Sequence, residues 1–402
     1  MFDGLVGRTP IYTRTLDVYG YELSFCSGEA LRLGTKDSEA QWTEAVRQAG
    51  QDLDLRDLIG DSRAMIRVTS GALGVCETLA WPKSQVVLAI SEEALNDGAA
   101  EETASRLARE GFTIALHNPS CDLVELRREA DYVSICSLDA QKLNGFKTDG
   151  MGGHYDQNMH LLVRDVETPD EYDRFSKLGF DYYEGMFFER PRHLHSCEIP
   201  GNRLAVLELL ARLQNPKVDV VEAEAIITRD MTLSYKLLRL INSAFFGVSK
   251  RVDSIRRAVI FFGLQRIKNW ASVILVNSVD YRPRELLTTA MVRARTCELL
   301  AEQLQRPNTE LYYMAGLFSL VDAVMDVPRE QILQRLNLAD AISEALLHGS
   351  GPVGEVLRAV IAFERAEPGE IQGCQFAQGV PARAYVESIR WATGVQRALA
   401  SS

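Results

Sequence analysis

The chain has 402 residues, more than one ordinary hydrophobic core accommodates, which favours at least two domains. Apolar residues make up 46% of the chain and charged residues 25%, a balance typical of a globular protein. The formal net charge of −11, with a pI of about 5.2, argues against a nucleic-acid binder that relies on a basic surface.

The opening residues, MFDGLVGRTPIY, lack the basic stretch and apolar run of a secretory signal. Apolar runs elsewhere are far shorter than the ~18 residues that cross a membrane. We therefore expect a cytoplasmic protein without membrane insertion. The seven cysteines form no CxxC pair, which predicts reduced and mostly buried thiols rather than disulfides or metal ligands.

The first 190 residues alternate strand-like and helix-like segments. The strand candidates are PIYTR, YELSF, AMIRV, QVVLAI, FTIALH, DYVSIC and HLLVRDV. Helical patterns lie between several of them. One ends at Gly111, and another has Thr168 as N-cap, Pro169 in its first turn and Gly179 after its end. Repeated strand–helix–strand units predict a parallel sheet, either open or closed into a barrel.

A polar stretch follows the buried strand FTIALH, where His117 and Asn118 end the apolar run. Parallel α/β folds place their chemistry at such strand ends, so this pair is a candidate site. Residues 144–159 are polar and glycine-rich and predict a loop. The segment 189–203 contains two prolines and one glycine. We expect the domain boundary there, between domains 1–195 and 196–402. His193 and His195 within it form a His-x-His pair, which favours a solvated segment over a metal site.

The second half is helical almost throughout. Its amphipathic segments are DMTLSYKLLRLINSAFFG, SIRRAVIFFG, QRIKNWASVILVNSV, LLTTAMVRARTCELLAEQLQ, ELYYMAGLFSLVDAVM, REQILQRL, DAISEALLHG and GEVLRAVIAFERA. These patterns predict an all-α domain. The aromatic residues Phe245, Phe246, Phe261, Phe262 and Trp270 are expected in its core, and a groove for a partner helix is the alternative that stays open.

Long motifs in both halves are similar to a known bacterial signalling family. GRTPIYTRTLDVYGYELSF and KLGFDYYEGMFFERPR resemble an EAL domain, the barrel that hydrolyses cyclic di-GMP. LSYKLLRLINSAFFG, VDSIRRAVIFFGLQRIKNW and AGLFSLVDAVM resemble an HDOD domain, a helical relative of HD phosphohydrolases. The resemblance to EAL–HDOD proteins covers nearly the whole chain. It implies an eight-stranded (β/α) TIM-type barrel, with an antiparallel first strand, followed by a helical bundle.

Active EAL domains hold two metal ions through carboxylates and an asparagine, because two-metal catalysis activates water and neutralises the phosphate. The resemblance assigns the signature glutamate to Glu22, which is retained. At the other matching positions this chain has replaced the arginine, the asparagine, the next glutamate, the paired aspartates, the lysine, the late glutamate and the glutamine. The replacements, in that order, are Cys26, Arg67, Ala89, His117 with Asn118, Ser134, Arg164 and Glu184.

These replacements predict a metal site that has been erased, with no catalytic residue, no cofactor and no metal. An arginine keeps its proton and repels Mg²⁺, so we expect Glu22 and Glu184 to pair with Arg67 or Arg164 across the barrel mouth. Three alternatives stay open. Glu22 and Glu184 hold a single metal ion, or Arg67 and Arg164 bind a phosphate as ligand-binding residues, or His117 acts as a base or ligand.

The helical half lacks the histidines of an HD metal centre. HD phosphohydrolases bind metal through several histidines and an aspartate, whereas His348 is the one histidine beyond residue 200. Ser319–Leu320 occupies the position of the His-Asp doublet. By resemblance, this domain is an interaction module rather than a catalytic one.

The sequence therefore predicts a catalytically inactive relative of cyclic di-GMP phosphodiesterases. It would be a non-enzymatic signalling or scaffold protein that regulates motility, surface attachment or biofilm formation through a protein partner or a second copy. We expect weak or absent cyclic di-GMP binding and no nucleic-acid partner. A receptor that binds cyclic di-GMP without hydrolysis and a weak phosphodiesterase are the alternatives.

Overall fold

The structure is a computed structural model. It describes residues 2–33, 35–95, 98–119, 132–143, 159–192, 201–215, 217–248, 251–279, 283–336, 338–367, 376 and 380–400. Residues 144–158 of the predicted loop 144–159, and the His193–His195 pair, lie outside the described residues.

Eight strands close into a barrel in chain order, which confirms the predicted fold. The strands are β1 (Leu5–Thr13), β2 (Val18–Cys26), β3 (Arg63–Val68), β4 (Val86–Ser91), β5 (Thr113–His117), β6 (Val133–Asp139), β7 (His160–Arg164) and β8 (Tyr182–Glu184). β1 pairs antiparallel with both β2 and β8, and the other neighbours are parallel. The sequence pattern missed β8 because it has only three residues.

Short helices connect the parallel strands. They are α1 (Gly28–Leu33), α2 (Glu39–Asp52), α3 (Leu55–Ile59), α4 (Leu73–Cys76), α5 (Glu92–Leu95), α6 (Gly98–Arg109) and α7 (Pro169–Ser176). The predicted start of α7 is confirmed, since Thr168 accepts from the Glu171 amide in a capping box and Pro169 opens the helix. Gly111 follows α6 with a φ of 105°, a backbone angle that favours glycine.

The barrel interior is apolar in the middle and polar at both ends. Its central layer is a cluster of buried residues, Ile11, Met65, Val87, Ala89, Ala115, Ile135 and Leu162. At the end where β3 begins, Arg63 Nη1 donates to Thr113 Oγ1 at 3.1 Å, and Tyr19 stacks on Tyr182 with ring centroids 4.1 Å apart. The opposite end, where β3 to β8 finish, is built from charged residues.

Twelve helices form the described second unit. They are α8 (Gly201–Gln214), α9 (Val220–Arg229), α10 (Met231–Ile241), α11 (Ile255–Phe262), α12 (Leu264–Val276), α13 (Arg284–Gln303), α14 (Thr309–Phe318), α15 (Val321–Met325), α16 (Arg329–Arg335), α17 (Asp340–His348), α18 (Gly351–Glu364) and α19 (Val380–Ala400). The predicted limits of α11 are confirmed, because Ser254 accepts from the Arg257 amide at its start and Gly263 ends it with a φ of 86°.

The chain forms two compact units. Residues up to Phe188 group with the barrel and those from Glu189 to Ile361 with the helices. Residues 362–367 and 380–382 also group with the barrel, which the sequence boundary at 195 and 196 did not predict. Gly7 of β1 explains part of this grouping, since a Cβ there would lie 2.8 Å from the Glu364 carbonyl oxygen. No helix in the described part of the chain is both long enough and apolar enough to cross a membrane.

Candidate functional site

The carboxyl ends of the parallel strands bring a set of polar side chains together, which we call the barrel mouth. Its residues are Glu22 on β2, Arg67 on β3, His117 and Asn118 at the end of β5, Ser137 and Asp139 on β6, Arg164 and Asp165 at the end of β7, and Glu184 on β8. The sequence predicted most of these positions and missed Ser137, Asp139 and Asp165.

A buried ion pair fills the centre of the mouth. Arg164 Nη2 lies 2.6 Å from Glu22 Oε2 and 2.8 Å from Oε1, and Nε adds a third bond at 3.1 Å. Both side chains are almost completely buried. Burial alone would lower the pKa of Arg164, but Glu22 and then Glu184 outweigh it, so its pKa is raised. The predicted pairing across the mouth is therefore present, with Arg164 as the buried partner.

Arg67 contacts the same carboxylate from the solvent side. Its Nε lies 2.8 Å from Glu22 Oε1, and 55% of its side chain is exposed. Glu22 thus accepts from two guanidinium groups, one buried and one at the surface. The ion pair holds Arg67 through Nε, and more than half of the side chain stays exposed.

His117 is neutral in this environment. Burial, followed by the nearby charge of Arg164, lowers its pKa to about 4. Arg164 Nη1 lies 3.1 Å from Nδ1, and Ser137 Oγ lies 3.2 Å from the same atom. The imidazole is therefore wedged between Arg164 and β6, a position that favours a structural role over that of a general base at neutral pH.

Asn118 and Asp139 form the rim beside His117. Asn118 has a φ of 47°, which asparagine tolerates better than most residues, and its Oδ1 accepts from the Asp139 amide at 3.0 Å. Its Nδ2 donates to Asp139 Oδ2 at 2.5 Å. The other oxygen, Asp139 Oδ1, is buried and accepts no hydrogen bond from the described residues. This oxygen lies 3.9 Å from Arg164 Nη1 and 3.8 Å from His117 Nε2, so it takes part in the charged network of the mouth.

Glu184 occupies the floor of the mouth and behaves as a neutral acid. Burial first, and the neighbouring Glu22 charge second, raise its pKa to about 8. Its Oε2 accepts from the Asp165 amide at 2.8 Å and lies 3.9 Å from Arg164 Nε. The sequence suggested that Glu184 and Glu22 both pair with an arginine. In the structure Glu184 lies farther from Arg164 than Glu22 does, and it is mostly protonated at neutral pH.

Three of the predicted positions contribute less to the mouth. Ala89 is packed in the central apolar layer beside Arg67 in the β3–β4 ladder. Cys26 is buried, and burial raises its thiol pKa to about 12. Ser134 lies in the first half of β6, where the β5–β6 register shifts, and the inward-facing serine of the mouth is Ser137. An irregularity in strand pairing shifts by one residue which side chains face the barrel interior. A sequence pattern does not show such a shift.

The mouth does not fit a two-metal centre in this arrangement. Both oxygens of Glu22 already accept from guanidinium groups, and Glu184 carries a proton at neutral pH. Among the described residues, no three histidine, cysteine, aspartate or glutamate side chains converge as metal ligands. A cation at Arg164 would also repel a divalent ion in the space between these carboxylates.

The helical unit has a comparable buried arginine at the position of the missing His-Asp doublet. Arg293 Nη2 donates to Glu189 Oε1 at 2.6 Å, and Nη1 lies 3.5 Å from Ser319 Oγ. Ser319 donates instead to the Gly316 carbonyl at 2.7 Å. Nearby, Asp322 pairs with Arg329 at 2.9 Å. These contacts lie inside the unit, where Asp322 Oδ1, like Asp139 Oδ1 in the barrel, is buried and accepts no hydrogen bond from the described residues.

Comparison with known proteins identifies both halves. The HDOD domain family matches residues 199–348. Over 417 aligned residues, the chain is 27% identical to cyclic di-GMP phosphodiesterase CdgJ of Vibrio cholerae, covering 99% of this chain and 94% of CdgJ. It is 26% identical to the uncharacterized protein YuxH of Bacillus subtilis, covering 96% and 97%. The helical half of this chain therefore carries an HDOD domain. The half before it is an EAL-like closed barrel with an antiparallel first strand.

Solved structures of EAL proteins are similar to the EAL half alone. BlrP1 of Klebsiella pneumoniae, in a calcium and cyclic di-GMP complex, is 16% identical with a TM-score of 0.36, covering 47% of this chain and 56% of that chain. The FimX EAL domain of Xanthomonas citri, in complex with cyclic di-GMP, is 13% identical with a TM-score of 0.37, covering 46% and 85%.

The prediction of a catalytically inactive protein is wrong on this comparison. A relative that aligns with almost the whole EAL–HDOD chain bears the name of a cyclic di-GMP phosphodiesterase, which points toward an active enzyme. The error came from equating the loss of one known ligand set with the loss of activity.

Proposed function

We propose that this EAL–HDOD protein works in the cyclic di-GMP network and that its barrel mouth binds cyclic di-GMP through a phosphate. The observation that carries the proposal is Arg67, an exposed guanidinium that Glu22 holds in place on the solvent side of the mouth. A planar guanidinium with free N–H groups suits a phosphodiester oxygen pair.

Opposing charges limit the expected affinity. Glu22 neutralises part of the Arg67 charge, and Asp139 and Asp165 add negative charge near the phosphate. Cys26, in place of an arginine, removes a further cation. We therefore expect a dissociation constant on the order of 10 µM, about −7 kcal/mol, in place of the weak or absent binding first predicted.

Isothermal titration of the full chain with cyclic di-GMP tests this proposal. Arg67→Gln should weaken binding about tenfold or more, because it removes the charged partner of the phosphate. Arg63→Gln is the matched control, since Arg63 is on the same strand but at the other end of the barrel. Wild-type heat no larger than that of the ligand blank, or equal losses in both variants, would refute binding at the mouth.

A phosphodiesterase is the second candidate function, and the full-length similarity to CdgJ favours it. The assay follows the linear dinucleotide with and without Mn²⁺. Production by the wild type that is lost in Arg67→Gln and kept in Arg63→Gln would support hydrolysis at the mouth. If no linear dinucleotide forms under any condition, the phosphodiesterase proposal is wrong. The titration would still test whether the mouth binds cyclic di-GMP.

The signalling output is proposed to pass through protein contacts of the HDOD domain in the cytoplasm, either to a protein partner or to a second copy. By analogy with the family, the regulated behaviour would be motility, surface attachment or biofilm formation. Sedimentation velocity of the full chain with and without cyclic di-GMP tests the second-copy form. If the measured mass stays that of a monomer at every concentration, with and without ligand, the second-copy form is wrong and the proposed partner is a different protein.

A further inference from the structure

Helix α11 exposes apolar residues on the side that faces away from the helical core. Ile255, Ala258 and Val259 are buried against the unit. On the other side, Ile260 is 76% exposed and Phe261 is 66% exposed. An amphipathic surface helix ordinarily has polar residues there, so two adjacent large apolar side chains need a partner to cover them.

A packed base of aromatic rings supports Phe261. Its ring lies 4.8 Å from that of Phe262, which contacts Trp270 at 5.0 Å and Phe246 at 6.1 Å. Trp270 is buried in the core, as the sequence predicted, whereas Phe261 is not. The exposed ring therefore stands on a rigid support.

The segment of the chain that contains α11 is basic although the protein is acidic. Residues 229–268 contain nine lysines and arginines and two aspartates, a formal charge of +7, against −11 for the whole chain. Arg256 and Arg257 are exposed and lie one helical turn before Ile260 and Phe261, on the same sides of α11. They pair with surface carboxylates, Glu224 at 2.9 Å and Asp253 at 2.6 Å. We call Arg256, Arg257, Ile260 and Phe261 the α11 patch.

We propose that the α11 patch docks the protein peripherally on an anionic lipid surface. The two arginines would contact headgroup phosphates, while Ile260 and Phe261 enter the boundary between headgroups and acyl chains. This is contact with one leaflet and involves no membrane-spanning segment. The inference goes beyond the proposed function, since it concerns a different surface from the barrel mouth.

Charge and shape favour lipid over other occupants. A face-to-face contact between two copies would oppose the same basic segment, residues 229–268, and like net charges repel. A protein anchor such as Phe261 usually fills a pocket, and a lipid surface needs none. Two cavities of the helical unit, of about 650 and 350 Å³, are lined by other segments, such as Arg284 and Gln396 or Ile226 and Leu275.

Co-sedimentation of the full chain with vesicles tests the proposal. We expect pelleting with equal parts of phosphatidylcholine and phosphatidylglycerol, little with phosphatidylcholine alone, and a decrease at high salt. The double variant Ile260→Ser with Phe261→Ser should lower the partition coefficient about tenfold. Arg256→Gln with Arg257→Gln should lower it by a similar factor, on the order of tenfold.

Two matched controls separate the patch from general effects. Val221→Ser changes an exposed apolar residue on α9, and Arg109→Gln removes a cation from barrel helix α6. Both should pellet like the wild type, and thermal unfolding should show that all variants are folded. No pelleting with the anionic vesicles, or equal loss in Val221→Ser and the patch variants, would overturn the proposal. A change of solution mass in the Ile260/Phe261 variant would assign the patch to self-association and overturn it as well.

Discussion

The barrel mouth and the HD-like position of the helical unit show two outcomes of a similar replacement. In each, a buried arginine pairs with a carboxylate where the family pattern predicts metal ligands. Arg164 contacts Glu22 in the mouth, and Arg293 contacts Glu189 in the helical unit. A guanidinium placed against a carboxylate satisfies buried charges without a metal ion.

The two sites differ in what remains open to solvent. At the mouth, the Arg67 side chain is more than half exposed and that of Asp139 is 26% exposed. In the helical unit, Ser319 and Arg293 are almost fully buried, and Ser319 is bonded to its own helix. The comparison indicates that the barrel mouth, with Arg164, is a candidate binding site, whereas the Arg293 network is an internal support of the helical unit.

The largest effect should come from Arg164→Met. This variant keeps most of the side-chain volume but leaves Glu22 with Arg67 alone and Glu184 without its nearest cation. We expect a loss of about 3 kcal/mol in the free energy of unfolding, measured by urea denaturation. Arg47→Met, which breaks an exposed pair with Glu44, should leave it nearly unchanged. Similar effects of the two variants would show that the buried pair does not support the barrel.

Arg293→Met should have a smaller effect, about 2 kcal/mol, because Glu189 is more exposed than Glu22 and water can reach it. Urea denaturation measures it. Adding Glu189→Gln should recover part of the loss, since the carboxylate left without Arg293 is then removed. If cyclic di-GMP binding also falls in Arg293→Met while the protein stays folded, the assignment of this network as an internal support is wrong.

The smallest effect is a pH dependence that belongs to the mouth. Glu184 keeps its proton to about pH 8 when folded but ionises near pH 4.5 when unfolded. Its contribution to stability is therefore full below pH 4.5 and is lost as the pH rises to 8. Glu184→Gln mimics the protonated acid and should be more stable than the wild type at pH 8, with little difference at pH 4.5.

Denaturation at the two pH values measures this difference. Glu208→Gln, on an exposed side of α8, controls for the loss of one carboxylate. A Glu184→Gln variant that is less stable than the wild type at pH 8 would mean that the ionised carboxylate is needed by Arg164.

Local signals explain why much of the fold could be predicted. Thr168, Pro169 and Glu171 fix the start of α7, and Ser254 and Gly263 fix the ends of α11, because capping depends on residues close in sequence. Strand β8 was missed because its three residues are placed by barrel closure rather than by their own pattern.

The mouth was predicted in part, because the sequence shows which residues lie at the ends of strands but not which of them contact each other. The pairing of Glu22 with Arg164 spans 142 residues, and only the closed barrel brings these side chains together. Ser137 replaced the expected Ser134 through a register shift between β5 and β6. Asp139 lies two residues after Ser137 on the same strand face, a period-two signal that could have found it.

Hydrogen exchange with and without cyclic di-GMP tests the central claim most directly, because it compares both regions in one protein. We predict added protection at the strand ends of the mouth, in peptides that contain Arg67, Asn118, Asp139 or Arg164, and none in peptides that contain Arg293 or Ser319. Protection confined to the helical unit, with an unchanged mouth, would contradict the account.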